Sequence, residues 1–189
     1  MHDIEPFYGW RNLYIASEDP KSPFYGREYS EFTYSEAIYN YFIHPQWDNI
    51  ESPTLYVKLL YCNYIEEFCI IELIGEWNDV LHNDIMYLYR NLIEPLIDEG
   101  IKRFLLIGEN VLNTHPDGDD YYQEWFDNIE EGWIIGINFR HHVLEEFSNF
   151  NLDYYMCFGQ SFEQINWRTL SPRQLLTKLE TLINKRLSP

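Results

Sequence analysis

Residues 68–109 read FCIIELIGEWNDVLHNDIMYLYRNLIEPLIDEGIKRFLLIGE, and this stretch decides the fold. Phe68–Ile74 is a run of strand formers closed by Gly75, and Arg103–Ile107 is a second run closed by Gly108. Between them Ile85, Leu88, Tyr89, Leu92, Ile93, Leu96 and Ile97 recur at the spacing of one apolar helical face. Asn78 or Asp79 can cap the start of that helix, and Gly100 suits its end. Pro95 lies inside it and predicts a kink or a discontinuity. Strand, helix and strand in this order make a parallel pair joined by a right-handed crossover.

The pattern extends both ways. Upstream, Thr54–Cys62 is rich in strand formers, and Asn63–Glu67 reads as a turn into Phe68, which predicts an antiparallel hairpin. Downstream, Asp119 or Asp120 opens a helix with Tyr122, Trp125, Phe126 and Ile129 on one side, ended by Gly132. Trp133–Ile137 reads as a fourth strand and Phe139, Val143, Phe147 and Phe150 as a further helix. Asp153–Phe158 reads as a fifth strand, and Ser171-Pro172 opens a last helix. The order β-β-α-β-α-β-α-β-α predicts an α/β domain over residues 54–189 with a mixed, mostly parallel five-stranded sheet.

Residues 1–53 are different. Their aromatics are irregularly spaced and their aliphatics too few for a core, so an aromatic-rich extension packed on the domain is expected. Thr33 and Glu36 have capping-box spacing, which predicts a short helix over 34–43, although Tyr39–Ile43 also has strand composition.

Charge narrows the partners. The 189 residues carry a net charge of −18, which argues against nucleic acid and against an anionic membrane surface, and is compatible with cationic partners, with metal ions, or with solubility alone. The aromatic share of 18% is high, and it reads either as a Tyr-rich core periphery or as a surface for a protein partner or self-association, which is the partner expected here. Cys62, Cys69 and Cys157 show no CxxC spacing, and no apolar run reaches the roughly 18 residues that span a bilayer. A cytoplasmic location is expected.

Over residues 54–187 the element order resembles the STAS domain of bacterial anti-sigma-factor antagonists. Gly75-Glu76-Trp77-Asn78-Asp79 looks like that family's strand end before its first helix. Arg140–Phe150, with Asn151-Leu152 and an aromatic strand, is similar to its third helix and last strand. The resemblance implies a bacterial regulatory module. Regulated members carry a phosphorylatable Ser or Thr in the loop that corresponds to Glu109–Asp120. Here that loop holds only Thr114 as a hydroxyl, with Asp117, Asp119 and Asp120 beside it, so a phosphorylation switch there is not expected.

In open α/β sheets ligands meet the carboxyl ends of the parallel strands. The loops expected there offer Glu76, Asp79, His82 and Asp84, then Glu109, Asn110 and His115, then Asn138 and Arg140, as one candidate ligand or interaction cleft. Arg140, at a helix start, calls for an acidic partner such as Glu109. Carboxylates with His82 or His115 could hold a divalent ion or divide acid and base roles, but no spacing matches a metal motif, and neither a nucleophile elbow nor a phosphate loop is present. The reading is therefore a non-enzymatic protein-interaction module without cofactor or metal. A small-ligand or divalent-metal-binding protein or enzyme at those loops is the alternative.

Overall fold

A computed structural model describes residues 4–187. Residues 1–3 and 188–189, the outer ends of the two expected sections, lie outside the described residues. The hairpin is built from Leu55–Asn63 (here β4) and Phe68–Asn78 (β5), and three short strands precede it: Ala37–Ile38 (β1), Tyr41–Phe42 (β2) and Asp48–Asn49 (β3). Arg103–His115 (β6) and Trp133–Ile137 (β7) complete a five-stranded sheet of order β3-β4-β5-β6-β7. The β3–β4 and β4–β5 pairs are antiparallel, and the β5–β6 and β6–β7 pairs are parallel.

The α/β class with a mixed five-stranded sheet stands, and two finer expectations change. The sheet is balanced between parallel and antiparallel pairs rather than mostly parallel. Its fifth strand is β3, from the aromatic first section. Asp153–Phe158 does not form that strand. Asn151 adopts the left-handed region (φ 57°), Leu152–Tyr154 is a 3-10 turn, and Gly159 turns the chain again at φ 74°. Only Cys157 meets the sheet, through a single parallel bridge to Ile135. Met156 and Phe158 are buried, so their side chains rather than a ladder hold this segment.

Both glycines expected to end strands lie inside longer ones. The β5–β6 register shifts between Glu72 and Ile74 and again between Gly75 and Glu76, so both strands run on past the glycines. Gly75 has φ +116°, and a Cβ there would lie 2.2 Å from the Thr54 carbonyl oxygen. A Cβ on Gly108 would lie 2.3 Å from the Phe139 ring. These residues let backbone or ring approach a continuing strand.

The long helix is discontinuous, as Pro95 predicts. It comprises Asp79–His82 (α1), Asp84–Leu88 (α2), a π-helical stretch Tyr89–Ile93, and Glu94–Asp98 (α3). Pro95 has no N–H to offer one turn back, and the Glu94 N–H reaches the Tyr89 carbonyl instead, which widens the helix. Asp120–Asp127 (α4), His141–Asn149 (α5) and Pro172–Leu187 (α6) follow.

The sheet buries both faces. Trp77, Tyr89, Trp125 and Phe147 pack with α1–α5 on one side. Phe68, Ile70, Leu105 and Ile137 pack with Trp167, Leu175 and Leu179 on the other. The first section contributes to each core, with Phe24 and Ile50 on the first side and Trp10 on the second. It also supplies Ile38, Ile43 and Trp47 to a third cluster with Tyr56 and Ile74. Residues 34–43 form the β1–β2 hairpin, not a helix. Tyr39 at its turn sits at φ 53°, which breaks helical continuity.

Thr114, on β6, is buried and its hydroxyl finds no hydrogen-bond partner among the described residues. An unsatisfied buried hydroxyl is unfavourable. Thr114→Val keeps the shape and is expected to raise stability by about 1 kcal/mol. Urea unfolding checks this, and a loss of stability would count against the placement of that hydroxyl.

Candidate functional site

The expected cleft divides into separate places. Asn78 ends β5 and caps α1, its side-chain oxygen accepting from the Leu81 N–H at 3.0 Å. That cap directs Asp79 into the core. Asp79 accepts from the Ile85 N–H at 2.9 Å and from the Tyr122 hydroxyl at 2.8 Å. Burial raises its pKa from 3.8 to about 6, against the lowering effect of those two donors, and nearby Asp84 adds to the rise. The Tyr122 hydroxyl is pushed up in turn, by burial first and then by Asp79.

Asn83 adopts the left-handed conformation between α1 and α2, which turns Asp84 inward. Asp84 is fully buried. It accepts from the hydroxyls of Ser52 (2.6 Å) and Thr54 (2.7 Å) and from the Asn78 N–H (2.7 Å). Burial nevertheless raises its pKa. Beside this pair lies a polar cavity lined by Asp79, His82, Asn83, Asp117, Asp120 and Tyr122, with a volume of about 410 Å³. Asp79 and His82 are therefore the predicted site residues that share a cavity.

The others lie elsewhere. Glu76 is on β5 beyond the Gly75 distortion and accepts from the Tyr39 hydroxyl at 2.6 Å. Glu109 and Asn110 are on the continuation of β6, not in a loop, and His115 ends that strand, 3.0 Å from Asn113. Asn138 occupies the left-handed region at φ 55° and staples the chain to Ile165, giving and accepting one hydrogen bond each. Arg140 occupies the N-cap position of α5 without a side-chain capping bond, and is exposed.

Glu109 pairs with Arg168 rather than with Arg140. The Arg168 guanidinium reaches its two oxygens at 3.0 and 2.9 Å, and the Trp167 indole N–H donates at 2.6 Å. Arg168 also lies 3.7 Å from Glu72. Glu72 is buried in the middle of β5 and accepts from the Phe7 N–H at 2.9 Å. Burial raises its pKa from 4.5 to about 7. A lone glutamate in an apolar strand carried no sequence motif, so Glu72 was not among the expected site residues. Its place in the inward register of FCIIELI was the one available signal.

The geometry bears on chemistry. Each Asp79 oxygen and each Asp84 oxygen accepts at least one hydrogen bond from the protein, so these carboxylates hold the α1–α2 break together. Burial pushes the Cys62 thiol up to about 12 and the Cys69 thiol well above its ordinary value, which disfavours a thiolate nucleophile. Among the described residues no group of three His, Cys, Asp or Glu side chains is placed to hold a metal ion, and no helix is long and apolar enough to cross a membrane.

No protein-family model matches the chain. No curated protein matches it. Among solved structures it is similar to the anti-sigma factor antagonist SpoIIAA in its unphosphorylated form, at 14% identity and a TM-score of 0.45, over 66% of this chain and 96% of that one. It is also similar to the Bacillus cell fate determinant SpoIIAA in the phosphorylated form, at 14% identity and a TM-score of 0.42, over 65% and 98%.

Proposed function

We propose that this chain is a non-enzymatic protein-interaction module whose contact surface is the aromatic β1–β2 hairpin and whose partner is a cationic protein. The observation that carries this reading is the hairpin's two-sidedness. Ile38 and Ile43 are buried beneath it, and the Tyr39 hydroxyl ties it to Glu76. Its outer side leaves Tyr39 70%, Tyr41 56% and Phe42 53% exposed. Tyr34 extends the patch, its ring 6.4 Å from that of Phe42. At the same end of β5, α1 adds exposed Val80 and Leu81. Aromatics held by a rigid backing and left uncovered form the apolar centre of a contact surface.

Charge selects the occupant. A second copy would bring another net charge of −18, which opposes self-association, whereas a basic protein is attracted. Regulation by phosphate at the β6–α4 loop is not part of this reading, because Thr114 is buried.

A photocrosslinking amino acid in place of Phe42 tests it in the source cell, with Tyr154, exposed on another loop, as the control position. Crosslinking of a defined basic protein from position 42 alone is expected. Tyr41→Ser with Phe42→Ser is expected to abolish capture while changing unfolding stability by less than about 0.5 kcal/mol. Equal capture from both positions, or a crosslink to a second copy, would refute the proposal.

A further inference from the structure

A second cavity lies where residues 6–17 meet β4. Its volume is about 220 Å³. Phe7, Tyr8, Trp10, Tyr14 and Tyr29 supply aromatic walls, and Arg11 and Lys58 are the charged residues among its lining. Among the described residues no carboxylate lines it. That sign is opposite to the protein's net charge of −18.

The two cations are held in different ways. The Lys58 side chain is 12% exposed and its ammonium lies 3.1 Å from Asp48, with the Tyr29 ring 3.8 Å away. Asp48 is shared, since it also pairs with Arg27 at 3.3 Å and accepts from the Tyr29 hydroxyl. One carboxylate thus serves two cations behind the cavity wall. Arg11 donates to the neutral Gln46 side chain at 2.7 Å and lies over the Tyr8 ring. Glu5, outside the lining, engages Tyr8 and lies 3.4 Å from His44. Burial is the main cause that lowers the Lys58 pKa, and Arg11 is close enough to push the same way. An anion entering between Arg11 and Lys58 would relieve that repulsion.

From this geometry we infer that the cavity is a binding site for a small planar aromatic carboxylate, with its ring against the tyrosine and tryptophan walls and its carboxylate toward Arg11 and Lys58. The volume lies below the roughly 300–1,000 Å³ of drug-sized pockets, which fits one or two fused rings. Guanidinium recognises a carboxylate through paired donors, and aromatic walls favour a flat ring over an aliphatic chain.

Isothermal titration with indole-3-acetate, with neutral indole-3-acetamide as the isostere, tests the site on the full chain. The acid is expected to bind saturably at one site, and the amide about tenfold more weakly. Arg11→Gln alters an exposed side chain and is expected to weaken the acid about fivefold or more while leaving the amide unchanged. Lys58→Met should weaken the acid as well, but it leaves the buried Asp48 with Arg27 as its one remaining cation among the described residues, so Arg11→Gln with retained thermal unfolding is the deciding variant. Equal binding of acid and amide, binding untouched by Arg11→Gln, or no saturable binding of the acid at millimolar concentration would each overturn the inference. Because the cavity and the β1–β2 hairpin use different residues, failure of one leaves the other standing.

Discussion

Asp84→Ala is expected to lower the unfolding free energy by about 4 kcal/mol, among the largest losses available to a single substitution in this chain. The carboxylate is fully buried and takes three hydrogen bonds from elements far apart in sequence: the Ser52 and Thr54 hydroxyls before β4, and the Asn78 N–H at the end of β5. Truncation orphans all three donors and leaves a cavity. The damage spreads, because the Ser52 hydroxyl oxygen also accepts from the Thr54 and Leu55 N–H groups. It can reorient toward no other acceptor without giving these up. Asp84→Asn is expected to cost less, about 2 kcal/mol. An amide NH2 in place of the oxygen facing Asn78 would meet a backbone N–H that cannot reverse. Placed toward Ser52, it would meet an oxygen already accepting twice. Urea unfolding of both variants checks the prediction, and a loss below about 1 kcal/mol for Asp84→Ala would show that the α1–α2 break is not held this way.

Why part of this arrangement could be read in advance and part could not is visible in single residues. The strand–helix–strand unit is legible because FCIIELI and RFLLI are long apolar runs and the helix between them keeps one apolar face. Pro95 is legible as a discontinuity because its missing N–H acts locally. Gly75 and Gly108 misled for a physical reason: glycine ends strands, and it also permits close approach inside them. Telling these apart requires the Thr54 carbonyl and the Phe139 ring, which only the tertiary fold brings near. Asp153–Phe158 misled because its aromatics are strand formers, yet the segment is fixed by side-chain burial and a single bridge. Its place as fifth strand was taken by Asp48–Asn49, two residues with no strand signal. Pairing with Val57 and Tyr56 defines them.

The same limit explains the candidate cleft. Asp79 and His82 share a cavity because four residues of helix connect them, and that is local information. Glu109 was placed in a loop with Arg140 because β6 was expected to end at Gly108. Once the strand continues, the register directs Glu109 toward Trp167 and Arg168, which come from a turn almost sixty residues later. Long-range partners of this kind leave no periodicity. The cationic cavity was equally hidden, because it is assembled from residues 6–17 and Lys58 across β4.

Glu72 gives the second large expected effect, and its sign follows from burial. The group sits in the central strand with its pKa raised from 4.5 to about 7. Because the folded value is the higher one, the native state binds more protons than the unfolded chain between about pH 4.5 and 7. Its contribution to stability is therefore complete on the acid side and is lost as pH rises through about 7. Asp79, raised from 3.8 to about 6, acts with the same sign in a lower window. The rise from 4.5 to about 7 corresponds to about 3 kcal/mol. Glu72→Gln resembles the protonated side chain, keeps an oxygen for the Phe7 N–H, and leaves Arg168 its bonds to Glu109. Two effects compete in the variant. It loses the 3.7 Å contact to Arg168, which is too long for a hydrogen bond, and it removes the cost of ionising a carboxyl with about 1% of its surface exposed. The second should win, since the Arg168 attraction is already outweighed by burial in raising the pKa. Glu72→Gln is therefore expected to match the parent near pH 4.5, to exceed its stability by up to about 3 kcal/mol at pH 8, and to flatten the curve between. Urea unfolding of both proteins across this range decides it: parallel curves, or a variant weaker at pH 8, would mean that the ionised Glu72–Arg168 pair holds the sheet to the turn before α6.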